Sequence, residues 1–200
     1  GSLSEPPVVA SISLETKEVD ILYRSGEAKL DVSNISRPIP VSIPVGENEI
    51  THGFFYQPRN ASFVGPSDAL PPLIVKCHGG PTGQTSAALN LKTQYWTTRG
   101  FAVLDVNYRG SSGYGRAYRE KLNGKWGLVD VEDCVSGANW LAAKGWVDRD
   151  CMAISGNSAG GYTTLCAITF EDCFSAGASY YGIGDLSELA KETHKFESSY

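Results

Sequence analysis

After Pro72 the sequence settles into a rhythm that few folds accommodate. Short apolar runs at 73–77, 101–106, 151–155 and 176–181 alternate with segments whose apolar residues recur at helical spacing. Brief apolar runs bounded by turn residues read as strands buried on both faces, and parallel neighbours among them need a helical crossover. The alternation therefore predicts βαβ units, an α/β fold with a mostly parallel sheet and helices on both faces. Helices are read over 87–98, with Gly100 just past the end, over 131–142, with Asp130 as N-cap and Gly145 as stop, and over 159–169. In such sheets ligands bind beyond the carboxyl ends of the strands. His78, Asn107-Tyr108-Arg109 and Ser158 all fall at those ends, so three loops distant in sequence are expected on one rim.

Before Pro72 the chain is strand-like and rich in turns. Ile12 and Leu14 alternate with polar residues, 15–18 makes a turn, and Val19 and Ile21 alternate again, which reads as a hairpin. A polar stretch over 24–37 leads to Pro38 and Pro40, which suit a linker. A second hairpin, 41–45 with 50–56, is expected ahead of the sheet, with Pro44 marking an edge position. Gly65, Pro66, Pro71 and Pro72 make 60–72 a loop.

Charge and cysteines narrow the partners. The net charge is −5 and the 17 basic residues are scattered, so a nucleic-acid partner, which needs clustered Lys and Arg, is not expected. No apolar stretch approaches the roughly 18 residues of a membrane span, and no membrane partner is expected. The five cysteines (Cys77, Cys134, Cys151, Cys166, Cys173) lack CxxC or Cys/His spacing suited to zinc and are expected as buried free thiols. That favours a reducing, cytoplasmic setting and no metal.

The most pointed motif is Gly156-Asn157-Ser158-Ala159-Gly160, followed by Gly161. In a chain with 22 glycines a bare GxSxG is weak. Here an apolar strand enters it and a helix of small residues leaves it, which is the context of a nucleophile elbow. A serine attacking an acyl carbon creates an oxyanion that preorganised N–H donors must meet. Ala159, the residue after the nucleophile, offers one at a helix N-terminus. The turn His78-Gly79-Gly80-Pro81, at the end of an earlier strand, offers another. Each motif strengthens the other.

The residues His78-Gly79-Gly80-Pro81, Asn107-Tyr108-Arg109-Gly110-Ser111-Ser112-Gly113-Tyr114-Gly115, Gly124-Lys125-Trp126-Gly127 with Asp130-Val131-Glu132-Asp133, and Gly156-Asn157-Ser158-Ala159-Gly160-Gly161 together resemble the prolyl oligopeptidase family of serine peptidases. The likeness is strongest to its acylaminoacyl-peptidase and dipeptidyl-peptidase branch. It implies that 38–200 is the N-terminal portion of an α/β-hydrolase peptidase domain, and that 1–37 is the end of a last β-propeller blade with its linker. It implies Ser158 as nucleophile, the backbone N–H groups of Gly80 and Ala159 as oxyanion hole, no metal or diffusible cofactor, and short or N-blocked oligopeptides as substrates. A homo-oligomer is compatible with it.

The usual order on this fold is Ser, then Asp or Glu, then His. After Ser158 the chain offers one histidine, His194, in a polar stretch that reads as surface. The acid and the base are therefore expected outside the 200 residues, and the segment alone is expected to be inactive. A small-molecule carboxylesterase and a non-catalytic interaction scaffold remain as alternatives. Arg109 is expected to brace neighbouring loops through backbone carbonyls, and Asp130 and Asp133 to suit a helix dipole.

Overall fold

The computed structural model describes residues 2–26 and 31–193. A hairpin of β1 (Val8–Ile12) and β2 (Val19–Arg24) comes first and forms a two-stranded antiparallel sheet of its own. Leu14 lies in the turn rather than the first strand, and every residue of both strands is exposed.

The rest is a layered α/β unit. In chain order it contains β3 (Ile39–Val45), β4 (Glu49–Tyr56), β5 (Leu73–Cys77), α1 (Leu91–Thr97), β6 (Ala102–Asn107), α2 (Arg116–Arg119), α3 (Val129–Ala143), β7 (Met152–Asn157), α4 (Ala159–Phe170), β8 (Ala176–Tyr180) and α5 (Leu186–Glu192). One six-stranded sheet runs β3-β4-β6-β5-β7-β8. The pairs β6/β5, β5/β7 and β7/β8 are parallel, and β3/β4 and β4/β6 are antiparallel. The second hairpin is thus part of this sheet and not ahead of it, because β4 adds its free edge to β6, pairing His52 with Asn107. Pro44 does sit on an edge strand, β3.

Strand alternation divides the core between two faces. Leu73, Val75 and Cys77 of β5, with Ala102, Leu104 and Val106 of β6, pack with Cys134, Ala138 and Leu141 of α3 and Ala167 of α4. Ile74 and Val103 point the other way, beside Tyr56 and Phe101. On that face Lys76 Nζ reaches both Asp105 Oδ2 (3.0 Å) and Thr93 Oγ1 of α1 (3.3 Å). Every residue of β6 is buried, as a strand covered on both sides should be.

Two helix starts and the burial of two thiols differ from expectation. The first crossover helix starts at Leu91 rather than at 87, because the Asn90 side chain accepts from the N–H groups of Lys92 and Thr93 and caps it there. Asp130 is not an N-cap. The helix begins at Val129 after Leu128, and the Asp130 carboxylate is fully buried in its first turn. Of the five thiols, Cys77, Cys134 and Cys166 are buried, but Cys151 precedes β7 and is exposed, and Cys173 is half-buried. No helix among the described residues is long and apolar enough to cross a membrane.

Candidate functional site

The strand β7 ends at Asn157, the helix α4 begins at Ala159, and Ser158 alone makes the turn with φ 53° and ψ −120°. A positive φ is uncommon for a residue with a Cβ and persists only where surroundings enforce it. Here they do so on both sides. The Ser158 N–H donates to the Tyr180 carbonyl of β8 (3.1 Å), and the Ser158 carbonyl accepts from Gly161 (2.9 Å) and Tyr162 (3.2 Å) to open the helix. The side chain does not cap α4 and is half-buried at its N-terminus. The neighbouring glycines are steric requirements: a Cβ on Gly156 would overlap the Gly160 carbonyl, and one on Gly160 would overlap the Cys77 carbonyl of β5.

The turn after β5 lies directly against this elbow. A Cβ at Gly79 would stand 3.4 Å from Ser158 Cβ and 3.1 Å from the Asn157 carbonyl. Gly80 follows with φ 143°, its missing side chain giving way to the N–H groups of Thr82 and Gly83. Among the described residues, none of the turn, loop and cap hydrogen bonds uses the N–H of Gly80 or of Ala159 as donor. Gly79 and Ser158 therefore meet at one rim, each followed in its own turn by the next residue, Gly80 or Ala159.

The loop after β6 secures that turn. His78 hydrogen-bonds the Gly79 carbonyl through Nδ1 (2.8 Å) and Ser111 Oγ through Nε2 (2.7 Å), and its ring stacks on Tyr108 with centroids 4.3 Å apart. Burial lowers the His78 pKa below the usual imidazole value, against the upward pull of the Gly79 carbonyl. The Tyr108 hydroxyl reaches the Pro81 carbonyl at 2.9 Å and the His78 carbonyl at 3.2 Å. Asn107 accepts from the Thr85 N–H (2.8 Å) and donates to the Thr85 carbonyl (3.2 Å) and to the Tyr114 hydroxyl (3.2 Å).

Arg109 braces this loop, though not through carbonyls. Its Nε and Nη2 lie 2.8 and 2.7 Å from Asp133 Oδ1, its own backbone N–H donates to Asp133 Oδ2 (2.6 Å), and Nη2 also meets Glu132 (2.6 Å). One turn earlier on α3, Asp130 accepts from the Gly127 N–H (2.7 Å) and from Thr163 Oγ1 of α4 (2.6 Å). Asp130 does lie in the first turn of α3, as the dipole reading expects, but the dipole is not the whole account of these two carboxylates. Both are long-range struts, a role that nothing local in the sequence announces. His52 bonds Ser42 and stacks on Tyr114 at 4.4 Å, while His194 lies outside the described residues. Among the described residues no cluster of His, Cys, Asp and Glu could hold a metal ion.

Comparison with known proteins agrees with this geometry. Residues 87–200 match the model of the prolyl oligopeptidase family. The dipeptidyl aminopeptidase BIII of Pseudoxanthomonas mexicana is 32% identical over 179 residues, covering 88% of this chain and 26% of the relative. An acylamino-acid-releasing enzyme 2 of Oryza sativa subsp. japonica is 34% identical over 138 residues, 68% of this chain and 18% of its own. Among solved structures, a puromycin-hydrolyzing peptidase of Mycobacterium tuberculosis superposes with a TM-score of 0.97 at 44% identity, over 100% of this chain and 30% of that one. The chain spans roughly a fifth to a third of the length of these proteins. With more than half of its residues matched by the model, it belongs to the prolyl oligopeptidase family.

Proposed function

We propose that the chain is the nucleophile-bearing part of a serine peptidase that cleaves short or N-blocked peptides through an acyl-enzyme on Ser158. The observation that carries this is the left-handed Ser158 at the head of α4, half-buried and set against Gly79. In the proposed reaction Ser158 Oγ attacks the scissile carbonyl and loses its proton to a base. The Gly80 and Ala159 N–H groups receive the oxyanion, the C–N bond breaks, and water later releases the acyl group. The names dipeptidyl aminopeptidase, acylamino-acid-releasing enzyme and puromycin-hydrolyzing peptidase, borne by relatives, support a peptide substrate of this kind. Residues 1–37, with β1 and β2 exposed throughout, are read as belonging to a preceding β-rich domain.

Neither described histidine can serve as the base, since His52 and His78 hydrogen-bond other groups and not Ser158. The 200 residues alone are therefore read as inactive. In the full-length protein, a fluorophosphonate should label Ser158, and peptide chromogenic substrates should be turned over faster than short-chain esters. Ser158→Ala should abolish both labelling and turnover. Peptide turnover indifferent to Ser158→Ala overturns the assignment. Steady, Ser158-dependent turnover by the isolated 200 residues overturns the reading of the fragment.

A further inference from the structure

We propose that a groove on the rim opposite Ser158, carrying Arg37, Arg59 and Arg99, is a docking site for a peptide segment of a partner protein that alternates acidic with apolar residues. The inference stands apart from the reading of Ser158 and uses none of the residues at that turn.

The 17 basic residues are scattered in sequence, but the fold gathers three of them. Arg37 lies two residues before β3, Arg59 three after β4 and Arg99 three before β6. Because β4 runs antiparallel to both neighbours, pairing Phe55 with Ile39 and Tyr56 with Val103, all three points fall at one end of the sheet. Ser158 follows the other end of the parallel strands, roughly 20 Å away along the six residues of β6. Hydrogen bonds stitch the three segments into a frame. The Arg59 N–H donates to the Thr97 carbonyl (2.9 Å), Asn60 Nδ2 to the Thr98 carbonyl (2.9 Å) and Arg59 Nε to the Ser33 carbonyl (2.6 Å). Within that frame lie two adjoining cavities of about 560 and 750 Å³, which share Ser33, Pro58 and Arg59 in their walls. Clefts of roughly 300–1,000 Å³ are the size that ligands fill.

Charge says what fits. Arg37 and Arg59 line the first cavity, Arg59 and Arg99 the second, and no Asp or Glu lines either, in a chain of net charge −5. Among the described residues none of the three guanidiniums makes an ion pair, whereas that of Arg109 makes two. Asp31, in the same segment as Arg37, is turned onto the Ser33 N–H (2.9 Å) and hydroxyl (2.6 Å). Arg99 is steadied by Tyr95, whose ring lies 3.7 Å beneath it and whose carbonyl accepts from Nη1 (3.0 Å). Guanidiniums held in place with donors to spare suit carboxylates. Phe63 and Val64, 78% and 97% exposed in the wall of the second cavity, ask for apolar side chains between those carboxylates. An anionic bilayer meets the charge but not the shape: it is flat, and it repels a chain of net negative charge.

The test uses the full-length protein with Ser158→Ala, so that no peptide is cleaved. A fluorescent peptide alternating Glu with Leu should bind, its Lys-Leu counterpart should not, and added salt should weaken the complex. Arg37→Glu should weaken binding about ten-fold or more, as expected for loss of a charged hydrogen bond and its replacement by repulsion. Arg99→Gln should weaken it in the same direction, and matched denaturant midpoints establish that either variant is folded. In the protein with Ser158 intact, fluorophosphonate labelling should proceed equally with and without the peptide. Absence of binding, equal binding of the Lys-Leu peptide, or undiminished binding in Arg37→Glu overturns the proposal. Binding confined to phosphatidylserine vesicles overturns it too, as does competition between peptide and fluorophosphonate, which would put the peptide at Ser158.

Discussion

Two turns on the same rim are held by opposite physical means. At the Ser158 elbow the backbone is fixed by the absence of side chains, since β5, β7 and α4 approach so closely that a single methyl on Gly156 or Gly160 has nowhere to go. At the loop after β6 the backbone is fixed by the presence of charge, with Arg109 clamped between Asp133 and Glu132. The first arrangement should tolerate no added atom. The second should tolerate replacement of both partners far better than loss of one. Ser158 thus sits on the sterically defined turn, and the segment that supports the glycine turn sits on the electrostatic one.

The largest expected effect follows from splitting the ion pair. Burial pushes the Asp133 carboxyl above its ordinary value, against the downward pull of hydrogen bonds from Arg109, and the Asp133 side chain is fully buried. Asp133→Ala would strand a largely buried guanidinium together with the Arg109 backbone N–H. Breaking a buried pair in this way costs about 3–5 kcal/mol. Joint replacement, Arg109→Met with Asp133→Leu, should regain most of that in denaturant unfolding. A single-variant cost below about 1 kcal/mol, the range of exposed pairs, would show that charge does not hold this loop. Glu132 is half exposed, and Glu132→Ala should accordingly cost little.

Next in size is an added methyl at the elbow. Gly160→Ala drives a Cβ into the Cys77 carbonyl, one residue before the glycine turn. Overpacking of this kind costs about 1–3 kcal/mol. Because the obstacle is backbone rather than a movable side chain, no single side-chain reduction nearby should relieve it. Fluorophosphonate labelling of Ser158 in the full-length protein should slow as the elbow shifts. Unchanged stability and unchanged labelling together would remove the steric account.

The same contrast explains what could be read from the sequence. Glycines advertise close approach, so the elbow, the Gly79-Gly80 turn and the strand ends that carry them were legible from Cys77, Ser158 and the apolar runs around them. Struts do not advertise themselves. Arg109 and Asp133 are 24 residues apart, and Thr163 lies 33 residues from Asp130. An acidic residue early in a helix already has a sufficient local explanation, and nothing in the chain says that a better one exists. The β3-β4 hairpin failed to reveal its place for a related reason. Its alternation declares a strand, but only the free edge of β6 decides which sheet receives it.

The smallest effect distinguishes the two buried carboxylates of α3 from each other. Asp133 faces a cation, whereas Asp130 faces a hydroxyl on α4 and an amide at Gly127, with the Asp133 charge nearby. Burial raises its pKa above 3.8, only partly offset by the bonds from Thr163 and Gly127. A carboxyl raised in the folded state binds its proton there before the unfolded chain does. Its stabilising contribution is therefore complete below the unfolded value and lost as pH climbs through the folded one. Asp130→Asn removes this titration while leaving the others in place. Wild type should therefore gain stability relative to the variant as pH is lowered from neutral towards the ordinary carboxylate range, read as denaturant midpoints at successive pH values. No such gain on acidification would mean that the bonds from Thr163 and Gly127 fully offset the burial of Asp130.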